Sequence, residues 1–454
     1  MAEFEKFNFN SYEDLEGKIK ELGVNIKLSR DLSPLKKLVK VGNKIASNSM
    51  AVLPMEGCDS NLDGSPSELV RRRYNRFAAG GAGLLWYEAC AVVREGRANP
   101  MQLHINKENV GSFAELLKEN KKNAIDRCGS DHKSISIIQL THSGRYSCPD
   151  GEQSPMVPQH DPFLDPPVGL KADSSVITDE YLDALQDKYV QAAVLSREAG
   201  FDGVDIKACH RYLISELLAS HTREGKYGGS FENRSRFLLE TIKKVRAAVG
   251  KNFIIATRFN VFDAHPYPYA FGVDIEDYLK PDMTEPLALA KLIAETGVDL
   301  LSNSSGNPYF KYPYFTRPSD MTTIGGYLPN EHPLESVARM FEFSRKIQAA
   351  VGDIPVVGNG YSWLRNFLAN AGAANIADGS VKLVGIGREA FAYPDMPYDI
   401  LTKGGMDPKK TCITCSKCTQ IMRWHGRTGC VIKDSEMYIP LYNEARRQFE
   451  ANTK

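Results

Sequence analysis

The sequence predicts a closed (β/α)8 barrel. Short apolar, β-branched segments alternate with amphipathic stretches, eight such units occur, and they fill about 340 residues, the span that such a barrel with insertions occupies. Alternation demands a parallel sheet covered by helices, because parallel strands need crossover connections. Eight units over this length favour closure over an open doubly wound sheet.

The strand segments are, in order, SNSMAVLPM (48–56), GLLWYEACAVV (83–93), SISIIQL (134–140), GVDIKA (203–208), FIIATRF (253–259), VDLLSNS (298–304), IPVVGNG (354–360) and KLVGIG (382–387). Between them lie VGSFAELLKENKKNAI, DEYLDALQDKYVQAAVLSREAG, NRSRFLLETIKKVRAAVG, EPLALAKLIAETG and LESVARMFEFSRKIQAAVG, with apolar residues at helical spacing and Gly at several C-terminal stops. The connections after the third and sixth strands are long and rich in Pro and aromatics, the kind that carries function in a compact domain. The expected organisation is an N-terminal extension (1–41), the barrel (42–405) and a Cys-rich segment with a tail (406–454).

Composition removes several classes of function. Of 454 residues, 42% are apolar, and 56 basic residues balance 56 acidic ones, so no long-range field attracts nucleic acid or an anionic membrane. No apolar run approaches the roughly 20 residues that span a bilayer, and the polar, acidic start does not resemble a signal peptide, which together point to the cytoplasm. Of nine cysteines, Cys412, Cys415, Cys418 and Cys430 cluster as C-x2-C-x2-C-x11-C. Structural zinc sites tend to use two separated pairs, whereas three close cysteines and a distant fourth suit an iron–sulfur cluster.

Barrel chemistry sits at the C-terminal strand ends. Those ends present Pro54, Met55 and Glu56; Ala89 and Cys90; Gln139 and His142; Lys207, His210 and Tyr212; Arg258; Ser304 to Asn307; Gly358 to Gly360; and Gly387 with Arg388. Glycines closing the seventh and eighth strands let backbone amides converge on a phosphate, which predicts a phosphorylated cofactor or substrate. GIGREA also satisfies a dinucleotide fingerprint at Gly385, Gly387 and Ala390, but it closes the barrel where that motif should open an early βαβ unit.

The ordered set QLTHSGRYS (139–147), the HxYL of DIKACHRYL (205–213), KYGGSFENRSRF (226–237), ATRF (256–259) and LVGIGR (383–388) resembles the signatures of old yellow enzyme-like flavin oxidoreductases. The similarity runs from about residue 42 to 435 and is greatest to the branch of 2,4-dienoyl-CoA reductase and trimethylamine dehydrogenase. It implies FMN, with Pro54, Met55, Ala89 and Gln139 bordering the isoalloxazine, Arg258 at its N1 and O2 edge, and Gly360, Gly387 and Arg388 at the phosphate. It further implies that Lys207 and His210 bind a substrate oxygen and that Tyr212 donates the proton in reduction of an activated alkene, and that the four cysteines hold a 4Fe-4S cluster beside the barrel. Two positions depart from the family: Lys207 stands where a neutral His, Asn or Tyr is usual, so an ammonium would favour carboxylate or strongly polarised substrates, and Glu56 stands where a small residue or Cys is usual. Cys58 is displaced from the covalent flavin position, and Cys209 reads as a packing residue.

The larger dienoyl-CoA reductase-type proteins continue into flavodoxin-like and nucleotide-binding regions that this sequence does not include. Either NAD(P)H reduces FMN directly, therefore, or a separate electron-donor protein works through the cluster. Besides reduction of an α,β-unsaturated carbonyl or carboxylate, the residues leave open an amine or demethylating dehydrogenase with an aromatic cage drawn from Trp86, Tyr87, Tyr309, Phe310, Tyr312 and Tyr314. They leave open as well a Schiff-base lyase using Lys207 and a non-catalytic electron carrier. The substrate in each enzymatic case is a small molecule, and an oligomer is compatible with the sequence.

Overall fold

Eight parallel strands close on themselves in the computed structural model, which describes residues 5–310, 317–328 and 330–452. They are β1 (Met50–Val52), β2 (Leu84–Ala91), β3 (Ile135–Thr141), β4 (Gly203–Ile206), β5 (Ile254–Asn260), β6 (Leu300–Ser304), β7 (Val356–Gly358) and β8 (Leu383–Ile386). One strand falls in each predicted segment, with β3 and β5 each running one residue past it. Closure is made by β1, which pairs Ala51 with Gly385 of β8 on one side and with Leu84 of β2 on the other. The helices α1 (Glu68–Ala79), α2 (Val110–Cys128), α3 (Asp179–Ala199), α4 (Phe231–Val249), α5 (Thr284–Glu295), α6 (Pro333–Val351) and α7 (Leu368–Ala377) follow β1 to β7 in turn.

Local chemistry starts and stops these helices. Ser67, Thr178 and Ser230 accept from the backbone amides of Val70, Tyr181 and Asn233, capping α1, α3 and α4. Gly200 ends α3 in the left-handed conformation, where a Cβ is penalised.

The barrel interior is packed, as its size requires. Leu53, Leu84, Trp86, Ile137, Ile254, Ala256, Leu300, Val357 and Leu383 fill it. An antiparallel hairpin, Val39–Val41 with Lys44–Ala46, adds Val39, Val41 and Ala46 to the same cluster and so plugs the end opposite the active-site loops. Above this apolar layer lies a carboxylate. Asp205 accepts from Trp86 Nε1 of β2 (3.0 Å), Gln139 Nε2 of β3 (2.6 Å) and the Arg258 amide of β5 (2.9 Å). Burial pushes the Asp205 carboxyl up to about 7, against the opposing pull of the Gln139 and Arg258 hydrogen bonds.

The cysteine-rich segment folds back on the barrel as two helices, Lys417–Arg423 and Ser435–Asn452, with a small core of its own from Ile421, Trp424, Val431, Tyr438 and Ala445. Asp434 holds it to α1, bonding Arg72 through Nη1 (2.7 Å) and Nη2 (2.8 Å) as well as Arg76. None of the helices among the described residues is long and apolar enough to cross a membrane.

The raised carboxyl carries a pH signature. The folded state keeps a proton on Asp205 that the unfolded chain releases near its ordinary value of 3.8, so stability from this group is full at lower pH and declines as pH rises toward about 7. Asp205→Asn flattens that slope, which urea unfolding across this interval measures.

Candidate active site

A cavity of about 770 Å³ opens at the C-terminal ends of the strands. Its lining includes Pro54, Met55, Lys207, His210, Tyr212, Arg258, Gly360, Gly387 and Arg388, so nine predicted residues from five strand ends share one space. Ala89 and Gln139 are not in that lining. Both are buried in the barrel wall, where Gln139 is engaged by Asp205. Trp86 and Tyr87, proposed for an aromatic cage, are outside the lining too: Trp86 packs in the barrel interior and bonds Asp205, and Tyr87 stacks on Tyr74 at 4.1 Å. Tyr309 and Phe310 do line the cavity, while Tyr312 and Tyr314 lie outside the described residues.

Beyond Ala208, which still bridges to Phe259 of β5, the chain leaves the sheet and turns sharply. His210 and Arg211 take φ of 63° and 59°, and Tyr212 caps a short helix, Leu213–Leu218. Arg211 turns away into a buried ion-pair cluster with Asp161 and Asp263, which pins this strained turn. The turn brings His210 to 3.0 Å from Ser304 Oγ through Nε2. Burial, with the charges of Arg258, Lys207 and Arg317, drives the His210 value well below the usual imidazole range, so its ring is neutral near neutral pH.

Lys207 is not a free ammonium facing a substrate. Its Nζ lies 2.9 Å from Glu56 Oε1 and 3.8 Å from the centre of the Tyr212 ring. The Tyr212 hydroxyl is 3.3 Å from each Glu56 carboxylate oxygen. Burial first, then the Glu56 charge, raises Tyr212 well above the ordinary phenol value, so it holds its proton firmly. An amine so engaged is poorly presented for Schiff-base attack. Two residues past Glu56, Cys58 is buried and held as the thiol by burial and the neighbouring Glu56 charge, while burial raises Cys209 to about 11, in keeping with a packing role.

The cavity also offers donors for an anion. The Arg258 Nε and Arg388 Nη1 atoms are buried without a partner, and both residues line the cavity. Gly360 adopts φ +91°, and a Cβ placed on Gly387 would meet nothing nearer than Met55 Sδ at 3.6 Å, so backbone is accessible there. Unpaired guanidinium donors beside glycine-rich strand ends fit a phosphate tail and a polar ring edge, the requirements of FMN.

The four cysteines border one small cavity of their own. Backbone amides of Thr414 and Lys433 donate to the sulfurs of Cys412 (3.4 Å) and Cys430 (3.3 Å). Among the described residues no group of three or more His, Cys, Asp or Glu is placed to hold a metal ion. Arg388, Phe391 and Cys418 line both this cavity and the large one, making them a shared wall.

Comparison with known proteins agrees with this geometry. Residues 34–306 match the profile of the NADH:flavin oxidoreductase / NADH oxidase family. The chain belongs to that family. By class it is therefore an FMN-dependent oxidoreductase. It is 28% identical over 386 residues to an NADH oxidase of Thermoanaerobacter brockii, covering 83% of this chain and 52% of the relative. It is also 28% identical over 375 residues to an NADPH dehydrogenase of Bacillus cytotoxicus, covering 82% and 91%. The chain thus spans about half the length of the first relative and nearly all of the second. Its fold is similar to that of a 2-naphthoyl-CoA reductase (TM-score 0.69, 20% identity, 91% of this chain and 58% of that one) and of an old yellow enzyme homologue from Zymomonas mobilis (TM-score 0.58, 21% identity, 82% and 94%).

Sequence reading missed three contributions. Asp205 had a visible signal, an acidic residue inside an apolar strand, but no assigned role. Tyr146, from the loop after β3, stacks on Tyr309 at 3.6 Å to form one side of the cavity. Arg423 and His425 line it from the cysteine-rich segment, a contact for which no local pattern exists.

Replacing Arg388 by Met removes the charge-assisted donor, worth about 1.5–3 kcal/mol. FMN affinity then falls about tenfold to a hundredfold, as flavin fluorescence on titration of the apoprotein reads out.

Proposed function

We propose that this protein reduces the carbon–carbon double bond of an α,β-unsaturated carbonyl compound, with FMN as the resident cofactor and NAD(P)H as reductant. The observation that carries this reading is the convergence of Tyr212, His210 and Lys207 with the unpaired Arg258 in a single cavity. FMN, when bound, supplies the hydride. The substrate oxygen is held at the His210 and Lys207 end, where donors stabilise the charge that develops as the alkene is reduced. Ser304 orients the neutral imidazole for this. Tyr212 gives its hydroxyl proton to the carbon next to the carbonyl: its O–H bond breaks as the new C–H bond forms, and solvent returns the proton afterwards. Arg258 would face the polar edge of the flavin ring, and Gly360, Gly387 and Arg388 would hold the phosphate.

We propose further that Cys412, Cys415, Cys418 and Cys430 hold a 4Fe-4S cluster. What supports it is one cavity bordered by all four and amide donors aimed at two of the sulfurs. Through the wall of Cys418, Arg388 and Phe391, such a cluster would exchange single electrons with the flavin, giving a separate electron-donor protein an entry route alongside NAD(P)H.

A second reading, oxidation of an amine, is favoured by the aromatic wall of Tyr146, Tyr309 and Phe310. Turnover of an enone with NAD(P)H, against an amine with an artificial acceptor, separates the two.

Tyr212→Phe keeps the ring and removes the acid; alkene reduction falls about 10² to 10⁴-fold while reduction of the flavin by NAD(P)H persists, measured by stopped-flow absorbance of the two half-reactions. Equal loss in both half-reactions would remove Tyr212 from proton donation. Cys418→Ser lowers iron and acid-labile sulfide in anaerobically purified protein from about four of each per chain to near zero if the cluster is present.

A further inference from the structure

Among the described residues lining the large cavity, Glu56 is the one carboxylate, set against Lys207, Arg258, Arg317, Arg388 and Arg423. Its position is built. The Gly57 amide, next in the chain, donates to Glu88 Oε2 at 2.6 Å, and Glu88 shares the Arg73 guanidinium with Asp59, whose oxygens lie 2.6 and 2.9 Å from it. All three of these side chains are at most 3% exposed. A Cβ at Gly57 would meet the Arg73 guanidinium at 2.3 Å, so Glu56 is followed by the one residue that lets the loop lie this close. A buried ion-pair network therefore fixes the loop that delivers Glu56 to Lys207.

The consequence is a charge cancellation at the oxygen-binding end. Lys207, with its side chain 2% exposed, has its charge met by Glu56 at 2.9 Å. A neutral carbonyl oxygen can still take a hydrogen bond from the remaining ammonium protons, since a lysine has three. A substrate carboxylate at the same place would face the Glu56 anion across a few ångströms in a partly desolvated pocket, where like charges repel strongly. Resting on the alkene-reductase reading, we infer that Glu56 is a specificity-determining residue, which neutralises Lys207 and restricts the site to uncharged conjugated carbonyls, aldehydes, ketones and esters, against free enoate carboxylates. This reverses the preference that Lys207 alone predicts.

The test uses the FMN-loaded protein and three forms: the native chain, Glu56→Gln, and Glu56→Gln combined with Lys207→Gln. Cinnamaldehyde and cinnamate are compared by kcat/KM, and benzoate binding is titrated by the perturbation of the flavin absorption band. The native chain prefers cinnamaldehyde. Glu56→Gln shifts the ratio toward cinnamate by about tenfold or more and tightens benzoate by a similar factor, and the double variant loses both gains. An unchanged ratio and unchanged benzoate affinity in Glu56→Gln overturn the inference. If the native chain turns over neither compound, the alkene-reductase reading fails, and the benzoate titration alone decides the role of Glu56.

Discussion

The active-site half of the barrel is organised around one buried carboxylate. Asp205, on β4, receives hydrogen bonds from β2, β3 and β5, so four consecutive strands are tied at one level. Apolar packing below that level is non-directional and tolerates small rotations of a strand, whereas a carboxylate with three donors at fixed angles does not. Lys207 lies two residues beyond Asp205 on the same strand end, and Arg258 contributes its own amide to the node. The two cations that face the cavity from β4 and β5 thus take their positions from the same anchor. Burying a carboxylate is costly, and burial accordingly pushes the Asp205 carboxyl up to about 7.

Around this anchor the site is assembled from pieces far apart in the chain. The β1 loop is held by the Arg73, Asp59 and Glu88 network, the β4 turn by Arg211 with Asp161 and Asp263, and the Tyr146–Tyr309 stack joins the loops after β3 and β6. The two ion-pair tethers are buried and the third is aromatic, so each restrains direction as well as distance. Loops of this length would otherwise sample many arrangements. Here the strands supply position and the tethers supply orientation.

How much of this could be read from sequence follows from the range of each interaction. The eight strands were legible because parallel strands buried on both faces leave unbroken apolar runs, and their C-terminal ends were legible because each run stops at a polar or glycine-rich step. Pro54, Met55, His210, Tyr212, Arg258 and the glycines of β7 and β8 follow from that alone. Ala89, Gln139, Trp86 and Tyr87 lie outside the cavity lining, since a strand alternates faces and sequence does not say which residues at a strand end face the mouth. The Glu56–Lys207 pair spans 151 positions, and no local pattern encodes it. The same holds for Arg423 and His425, which come to the cavity from a segment docked by long-range contacts such as Asp434 to Arg72 of α1 and Arg423 to Thr323.

One backbone contact links the thiol-bearing segment to the pocket. The Thr428 amide, two residues before Cys430, donates at 2.6 Å to the carbonyl of Gly57, the neighbour of Glu56. The loop that carries Glu56 is therefore braced on two flanks, by the Arg73 network of the barrel and by the terminal segment, so a shift of either body is felt at the same side chain.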